Sequence, residues 1–482
     1  MQSAPAEESR RPLAVIVLAA GLGTRMKSKT PKVLHHLCGK PMIAWVAGAV
    51  EPLGADRLLV VLGSGAEEVH QFLPERAEVV IQEEQRGTAD AVAAAREALE
   101  GFEGDVLILY GDTPLLGSEV LTGLLELHAR DEPACTMLAV EMDDPSHYGR
   151  VNRDADGRVT RVVEHRDASD AEKEIREVNA GVYVFEAAPL WEALSEIGSA
   201  NDQGEYYLTD AVGILAGGGQ AVMAHVIDDQ DVVMGVNSRA DLAVAAGLMR
   251  QRILERHMLA GVTVTDPGST YVDDGVIIGR DTILEPMTTL SGRTFVGEDC
   301  VIGPSAVVVD STIDDGVRFV SSYAVEASIA AGCTVGPFAY LRPGAALEQG
   351  AKAGTFVEIK NSRVGEGAKV PHLSYIGDAE IGAGANIGAG NITANYDGVS
   401  KHRTVIGSGV HTGADTVFVA PVEVGDGSMT GAGSVITEDI PGEALGIARS
   451  RQRNIGGFAR RLSKAGRAGK KNTKRGKQRE TP

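Results

Sequence analysis

Two spacings of apolar residues divide the chain. From residue 13 to about 236, short runs that are apolar throughout alternate with helical stretches. AVIVLA, RLLVVLG, EVVIQ, DVLILYGD, CTMLAVEM, RVVEH, AGVYVF and AVMAHV read as strands. PMIAWVAGAVEPLG, TADAVAAAREALEG and SEVLTGLLELHAR read as helices between them. Strands without an exposed polar face, separated by helices, predict a largely parallel sheet covered on both sides. Such sheets bind ligands at the carboxyl ends of their strands. Residues 238–260, SRADLAVAAGLMRQRILERHMLA, read as one helix of ~33 Å connecting two domains. Ser238 and Asp241 at its start have the spacing of a capping box.

From residue 263 the spacing becomes six. Ile278, Leu284, Leu290, Val296, Ile302 and Val308 form one series. Ile329, Val335, Leu341, Leu347, Ala353 and Ile359 form another, and Ile406, Thr412, Phe418, Val424, Thr430 and Ile436 a third. Six is the hexapeptide period of a parallel β-helix, in which each aliphatic points into a narrow prism. At three hexapeptides per coil the region makes about ten coils. One segment, NITANYDGVSKHRT at residues 391–404, breaks the period, and insertions of this kind often build a binding face.

Composition adds limits. Aromatics are only 4% of the chain and glycines number 59, which suits a narrow repeated interior. The net charge of −20 removes the global basic footprint of a nucleic-acid binder. The tail, ARRLSKAGRAGKKNTKRGKQRETP, is basic and aperiodic; it is expected to be disordered, with a weak nucleic-acid or membrane-surface contact as the alternative. Cys38, Cys135, Cys300 and Cys333 form no CxxC pair, so neither a disulfide framework nor a zinc site is expected. With no signal-peptide pattern and no apolar run of ~18 residues, the sequence reads as cytoplasmic.

The first candidate chemistry lies in IVLAAGLGTRMKSKTPKVL, directly after the first strand. It lacks the Gly-Lys-Ser/Thr of a P-loop, and Met26 stands where a dinucleotide fingerprint needs its third glycine. Gly21 and Gly23 still allow close backbone approach to oxygens, and Arg25 and Lys32 supply charge. Asp112, on a YGD turn after another strand, is a hard oxygen ligand on the same edge. A polyphosphate with Mg²⁺ is the economical occupant, since Mg²⁺ takes one or two protein oxygens plus phosphates.

The second lies among the hexapeptides, in YLRPGA, FVEIKNS, VPHLSYIGDAEIG, NIGAG and ITANYDG. Arg342, Lys360, His372, Tyr375 and Asn395 exceed what a coil needs. Two basic residues can clamp a sugar phosphate, and a neutral imidazole can take a proton from an attacking amine.

LAAGLGTRM followed by PKVL, QRGTADA, YGDTPLL, YGR, VVEH, EVNAGVY, GEYYLTD and GVNSRADL resembles, in order, the sugar-1-phosphate nucleotidyltransferases. With the hexapeptide motifs, the resemblance narrows to the bifunctional N-acetylglucosamine-1-phosphate uridyltransferase/glucosamine-1-phosphate N-acetyltransferases, over about residues 13 to 455. It implies a Rossmann-like α/β nucleotidyltransferase domain at 13–237 and a linker helix at 238–260. A left-handed β-helix acetyltransferase domain would follow at 261–455, then the basic tail, 456–482.

The resemblance also implies roles. Leu18, Ala20 and Gly21 would hold uracil and ribose, with Lys32 near the phosphates and Arg25 and Lys32 catalytic, supplying charge stabilisation and alignment. Gln82, Gly87 and Thr88 would complete the uridine pocket, and Gln82 would select the base. Asp112 and Asn237 would hold Mg²⁺. Gly149, Glu164 and Asn179 would hold the N-acetylglucosamine, and Tyr110 would also contact the UTP or UDP-sugar. In the β-helix, His372 would be the base that activates the amine of glucosamine-1-phosphate, with Glu358 orienting it. Arg342, Lys360, Tyr375 and Asn386 would bind the sugar phosphate; Asn395 and Tyr396 would align substrates. Ala389, Ala432 and Arg449 would contact acetyl-CoA. Ala414 stands where some members of the family carry serine, which removes a hydrogen bond to the coenzyme. The resemblance implies a homotrimer whose acetyl-transfer sites are shared between chains, and a product, UDP-N-acetylglucosamine, made by acetylation and then uridylylation. Two alternatives stay open at this stage. One is a nucleotidyltransferase whose β-helix only oligomerises. The other is a non-catalytic assembly subunit of the same architecture.

Overall fold

The computed structural model describes residues 11–465 apart from 22, 64–66 and 146. The chain divides into two compact units. One holds the chain up to Asp299 together with Val308–Asp310; the other holds Cys300–Val307 and the chain from Ser311.

The first unit is built on a nine-stranded sheet. Its main path runs Val222–Ile227, Cys135–Glu141, Glu177–Glu186, Asp105–Tyr110, Leu13–Leu18, Arg57–Gly63, Ala77–Gln82. Neighbours are parallel except at Glu177–Glu186, which runs antiparallel to both its partners. Arg150–Arg153 and Val159–Val163 form a ribbon attached to that same strand. The first of these, Arg-Val-Asn-Arg, is short and polar, which is why the apolar pattern gives no sign of it.

The central strands are apolar at every position because successive side chains enter different cores. Ala14, Ile16, Val106 and Ile108 pack on one face; Val15, Val17, Leu107 and Leu109 pack on the other. Register fixes the working edge. Leu18 pairs with both Val61 and Tyr110, and Gly63 pairs with Gln82. The loops that follow Leu18, Tyr110 and Gln82 therefore leave the sheet side by side.

The helix Arg239–Leu259 begins at Ser238, whose hydroxyl accepts the Asp241 N–H at 3.2 Å while the Asp241 carboxylate accepts the Ser238 N–H at 2.8 Å. The expected capping box is present, with Asp in place of Glu. Ala245, Met249, Ile253, Leu254 and His257 are buried along the helix. The first coils beyond it are anchored within the same unit. The Asp274 N–H donates to the Cys38 carbonyl at 3.1 Å, and its carboxylate takes Lys40 and, at 3.0 Å, Arg256. This anchoring explains why the first unit reaches into the hexapeptide region instead of ending with the helix.

In the second unit two- to four-residue strands pair in parallel with strands one coil later. Ile313, Ile329, Leu347, Val364 and Ile381 form one inward column, and Phe319, Val335, Ala353 and Val370 another, all buried. Leu347 to Val364 is one residue short of three hexapeptides, so the period slips while the column continues. In 391–404 only the middle leaves the coil. Ile392–Ala394 and Thr404–Ile406 remain coil strands, and the hairpin between them closes through Tyr396 and Lys401. Residues 458–465 are helical and exposed where the sequence pattern suggests no regular element; residues 466–482 of the expected tail lie outside the described residues.

Candidate functional sites

At the carboxyl edge of the sheet lies a cavity of about 400 Å³. Leu18, Ala20, Gly21, Lys32, Gln82, Gly87, Thr88, Tyr110 and Asp112 line it, all singled out from sequence. A wider depression of about 970 Å³ lies at the opposite ends of the strands, against Arg11, Phe102 and Trp191. The polar groups suited to phosphate gather in the smaller cavity.

Two of its lining residues, Lys32 and Asp112, meet Arg25 and Asn237 at one point. Lys32 Nζ contacts the Asp112 carboxylate and, at 3.3 Å, Asn237 Oδ1; Arg25 Nη2 donates to the same Asn237 oxygen at 2.8 Å. Asn237 arrives there because the Val236 N–H donates to the Asp112 carbonyl at 2.8 Å. Asp241 then accepts the Asn237 N–H at 3.0 Å, joining the site to the helix cap. Of the loop glycines, Gly23 is forced by geometry. Its φ is 59°, and a Cβ there would stand 2.7 Å from Lys32 Cβ. Gly21 faces open space.

At the end of the edge strand Ala77–Gln82, Gln82 is almost completely buried. Gly87 turns the chain into the helix Thr88–Ala94 at φ 130°, and a Cβ would lie 2.4 Å from the Tyr206 carbonyl oxygen. The Thr88 hydroxyl accepts the Leu208 N–H at 2.9 Å. Gln85 and Glu205 also line the cavity, and Gln85 Nε2 donates to the Ala20 carbonyl at 2.5 Å. Neither residue is distinctive in sequence, although Gln85 opens the quoted QRGTADA.

Gly149, Glu164 and Asn179 come together beside Tyr110. The Asn179 N–H donates to the Gly149 carbonyl at 2.9 Å, and a Cβ on Gly149 would stand 3.5 Å from Glu164 Oε1. A register shift between Asn179 and Tyr183 lets Asn179 Nδ2 donate to the Tyr183 hydroxyl at 2.6 Å. Burial pushes the Glu164 carboxyl above its ordinary pKa, Thr209 opposes the shift with a 3.1 Å hydrogen bond, and Asp167 and Asp210 add to it. Burial also raises the Tyr110 phenol.

In the β-helix the expected residues fall on two corners. His372 ends one strand at the first corner, level with Thr355. The carbonyls of His372, Ala389, Ala414 and Ala432 there accept, in turn, Gly390 N–H (3.1 Å), Asp415 N–H (2.8 Å), Gly433 N–H (2.8 Å) and Arg449 Nη1 (3.0 Å). Three coils thus stack the coenzyme candidates directly beyond His372. Asn386 lies in the strand segment leading to this corner, bridged to Lys369 and His411.

The second corner holds the charges. Asp378 receives Asn361 Nδ2 at 2.6 Å, Asn395 Nδ2, and Lys360 Nζ at 3.4 Å. Burial alone would raise the Asp378 carboxyl, but these donors and the Lys360 charge hold it below its usual value. Lys401, from the hairpin, lies against Lys360, which lowers the Lys401 ammonium pKa. Asp378 and Lys401 were missed in sequence, because only the fold brings the hairpin to Lys360. Tyr375 begins the strand between the corners, level with Glu358, and Tyr396 is exposed with its hydroxyl donating to the Gly398 carbonyl at 2.7 Å. One expectation fails. Glu358 does not orient His372: it accepts from Arg342 Nη1 at 2.8 Å, and the two residues lie in different sheets. Among the described residues His372 makes no side-chain hydrogen bond and is exposed.

A doubly covered α/β sheet with a phosphate-type loop, followed by a hexapeptide β-helix with basic corners, defines a two-domain transferase. Residues 15–202 match the MobA-like NTP transferase domain, and residues 403–438 match the bacterial transferase hexapeptide of six repeats. The chain is 47% identical to the bifunctional protein GlmU of Streptomyces avermitilis over 94% of this chain and 95% of that one. It is 47% identical to that of Mycobacterium tuberculosis (strain ATCC 25177 / H37Ra), over 93% and 92%, and 48% identical to that of Mycobacterium avium, over 93% of each. A solved UDP-glucose pyrophosphorylase complexed with UDP-glucose overlaps half of this chain at 18% identity and a TM-score of 0.42, too loose a likeness to carry weight. The chain belongs to the bifunctional GlmU family, and its β-helix is the left-handed kind. It is a uridyltransferase joined to a glucosamine-1-phosphate acetyltransferase, which disposes of both alternatives left open by the sequence. Among the described residues no helix is long and apolar enough to cross a membrane.

Proposed function

We propose that the 400 Å³ cavity binds UTP and N-acetylglucosamine-1-phosphate, and that the two β-helix corners carry out acetyl transfer from acetyl-CoA to glucosamine-1-phosphate. The convergence of Arg25 and Lys32 on Asp112 and Asn237 carries the first assignment. Two oxygens already share one ammonium there, a donor set that suits Mg²⁺, with phosphates completing its shell. The ion would neutralise phosphate charge when bound. Lys32 and Arg25 would then turn to the α-phosphate and the leaving pyrophosphate, stabilising charge while the sugar phosphate oxygen attacks in line. Leu18, Ala20, Gly21, Gln82, Gly87 and Thr88 hold the nucleoside; Tyr110, Gly149, Glu164 and Asn179 hold the sugar.

In the second reaction His372 accepts the proton of the attacking amine. Arg342, Lys360, Lys401 and Tyr375 hold the sugar phosphate, and Asn386 reaches it from the segment before the first corner. Asn395 and Tyr396 align the substrates. Ala389, Ala414, Ala432 and Arg449 take the coenzyme along the stacked corner. The enzyme acts as a cytoplasmic homotrimer, acetylating first and uridylylating second, to supply UDP-N-acetylglucosamine for cell-wall synthesis. Two observations favour shared sites. His372 and the Lys360 cluster occupy opposite ends of one short strand. Beside His372, Phe338, Phe356 and Leu373 all adopt positive φ and are 58–64% exposed, an apolar ridge suited to a second copy.

One mixture tests both assignments: the protein, glucosamine-1-phosphate, acetyl-CoA, UTP and Mg²⁺, with products read by mass spectrometry. UDP-N-acetylglucosamine is expected. Acetylated sugar phosphate alone would overturn the nucleotide assignment, and failure of both would overturn the whole proposal.

A further inference from the structure

The residue expected to read the base is itself held by a neighbour. Gln82 is 4% exposed, and its Nε2 donates to Asp90 Oδ2 at 2.8 Å and to the Gly87 carbonyl at 3.3 Å. A primary amide has two N–H donors at one end and only an acceptor at the other. Both donors are consumed here by groups that can only accept, a carboxylate and a carbonyl. Turning the amide over would set its oxygen against two oxygens, so this orientation is dictated by the partners. Gln82 Oε1 makes no hydrogen bond among the described residues, and Gln82 lines the cavity. Arg86 Nη2 holds the other carboxylate oxygen, Asp90 Oδ1, at 2.8 Å. Asp90 sits in the first turn of the helix that Gly87 starts.

We propose that Asp90 sets the base preference of the uridyltransferase as a positioning residue. By fixing the Gln82 amide it makes the site present an acceptor to the base edge. Uracil offers N3–H there and is taken; cytosine offers a lone pair at N3 and is turned away. An oxygen facing that lone pair is left desolvated and unpaired, which the site cannot repair by rotating Gln82. This rests on the assignment of Gln82 to the base.

The test is the ratio of kcat/KM for UTP to that for CTP, measured on the full-length enzyme with N-acetylglucosamine-1-phosphate and Mg²⁺. In Asp90→Asn, Arg86 claims the remaining oxygen, so the new amino group faces Gln82 and favours the turned-over amide. The UTP/CTP ratio should fall at least about tenfold. In Asp90→Ala, with only Gly87 holding the amide, it should fall less. Acetyl transfer by the same chains should stay unchanged, and an unchanged melting temperature of the first unit shows that it folds. A helix residue without this role would slow both nucleotides equally, and an unchanged ratio in Asp90→Asn overturns the proposal. Gln82→Ala separates the two claims. If it leaves the ratio unchanged, Gln82 does not read the base and the underlying assignment fails. If it lowers the ratio while Asp90→Asn does not, only the role of Asp90 fails.

Discussion

The backbone N–H of Val236 donates to the carbonyl of Asp112 at 2.8 Å. That bond brings the residue before a helix cap onto the turn after a central strand, and it makes Asp112 and Asn237 neighbours across more than a hundred residues of chain. Asn237→Ala should therefore raise the Mg²⁺ concentration for half-maximal uridylyl transfer by about tenfold or more, as loss of a metal-site partner commonly does. Acetyl transfer should not change. A Mg²⁺ titration of pyrophosphate release reads this directly, and an unshifted curve would remove Asn237 from the ion's site.

Gly87→Ala combines a φ of 130° with a Cβ 2.4 Å from the Tyr206 carbonyl oxygen. Backbone strain alone should cost about 1–3 kcal/mol, and Tyr206 must move as well. The expected outcome is a lowered melting temperature for the first unit and a raised KM for UTP. Wild-type values for both would show that the turn is not required.

His372→Ala should reduce acetyl transfer by about 10² to 10⁴, the range for a general base, and leave uridylyl transfer within about twofold. Equal losses in both reactions would contradict two separate sites.

His372 and Lys360 lie on different corners of one chain. If the site is shared between copies, co-assembled His372→Ala and Lys360→Ala chains should recover measurable acetyl transfer that neither has alone. Absence of recovery in confirmed mixed oligomers would place the whole site within a single chain.

Glu164 makes stability depend on pH. Burial raises its folded pKa, so its charged form is disfavoured in the fold. Below the unfolded value that cost is absent, and it grows as pH rises through the folded value. Glu164→Gln removes it. The variant should melt with the wild type at about pH 4 and above it near pH 8, while binding the sugar more weakly. Calorimetry across that range with a constant difference would rule out burial of the charge as the cause.

The repeat of six was legible because each coil is local. Ile329, Leu347 and Val364 point inward for the same short-range reason, and every residue of the three series is buried. The working edge of the sheet was legible too, since loops after fully apolar strands collect at carboxyl ends. Glu358 shows where such reasoning stops. The family resemblance put it beside His372, but coil register gave it to Arg342. Lys401 and Gln85 were missed for a similar reason, because neither carries a pattern of its own.

The sequence by itself determined the elements, their two periods and the residues rich enough in chemistry to matter. Those follow from interactions within one turn, one strand or one coil. Only the tertiary structure decided which of them meet. Asp90 fixing Gln82, Val236 carrying Asn237 to Asp112, and Lys401 reaching Lys360 depend on hydrogen-bond geometry, which tolerates errors of a few tenths of an ångström. Spacing along a chain cannot specify position to that tolerance. Packing can, because a close-packed core leaves each backbone segment one place to lie.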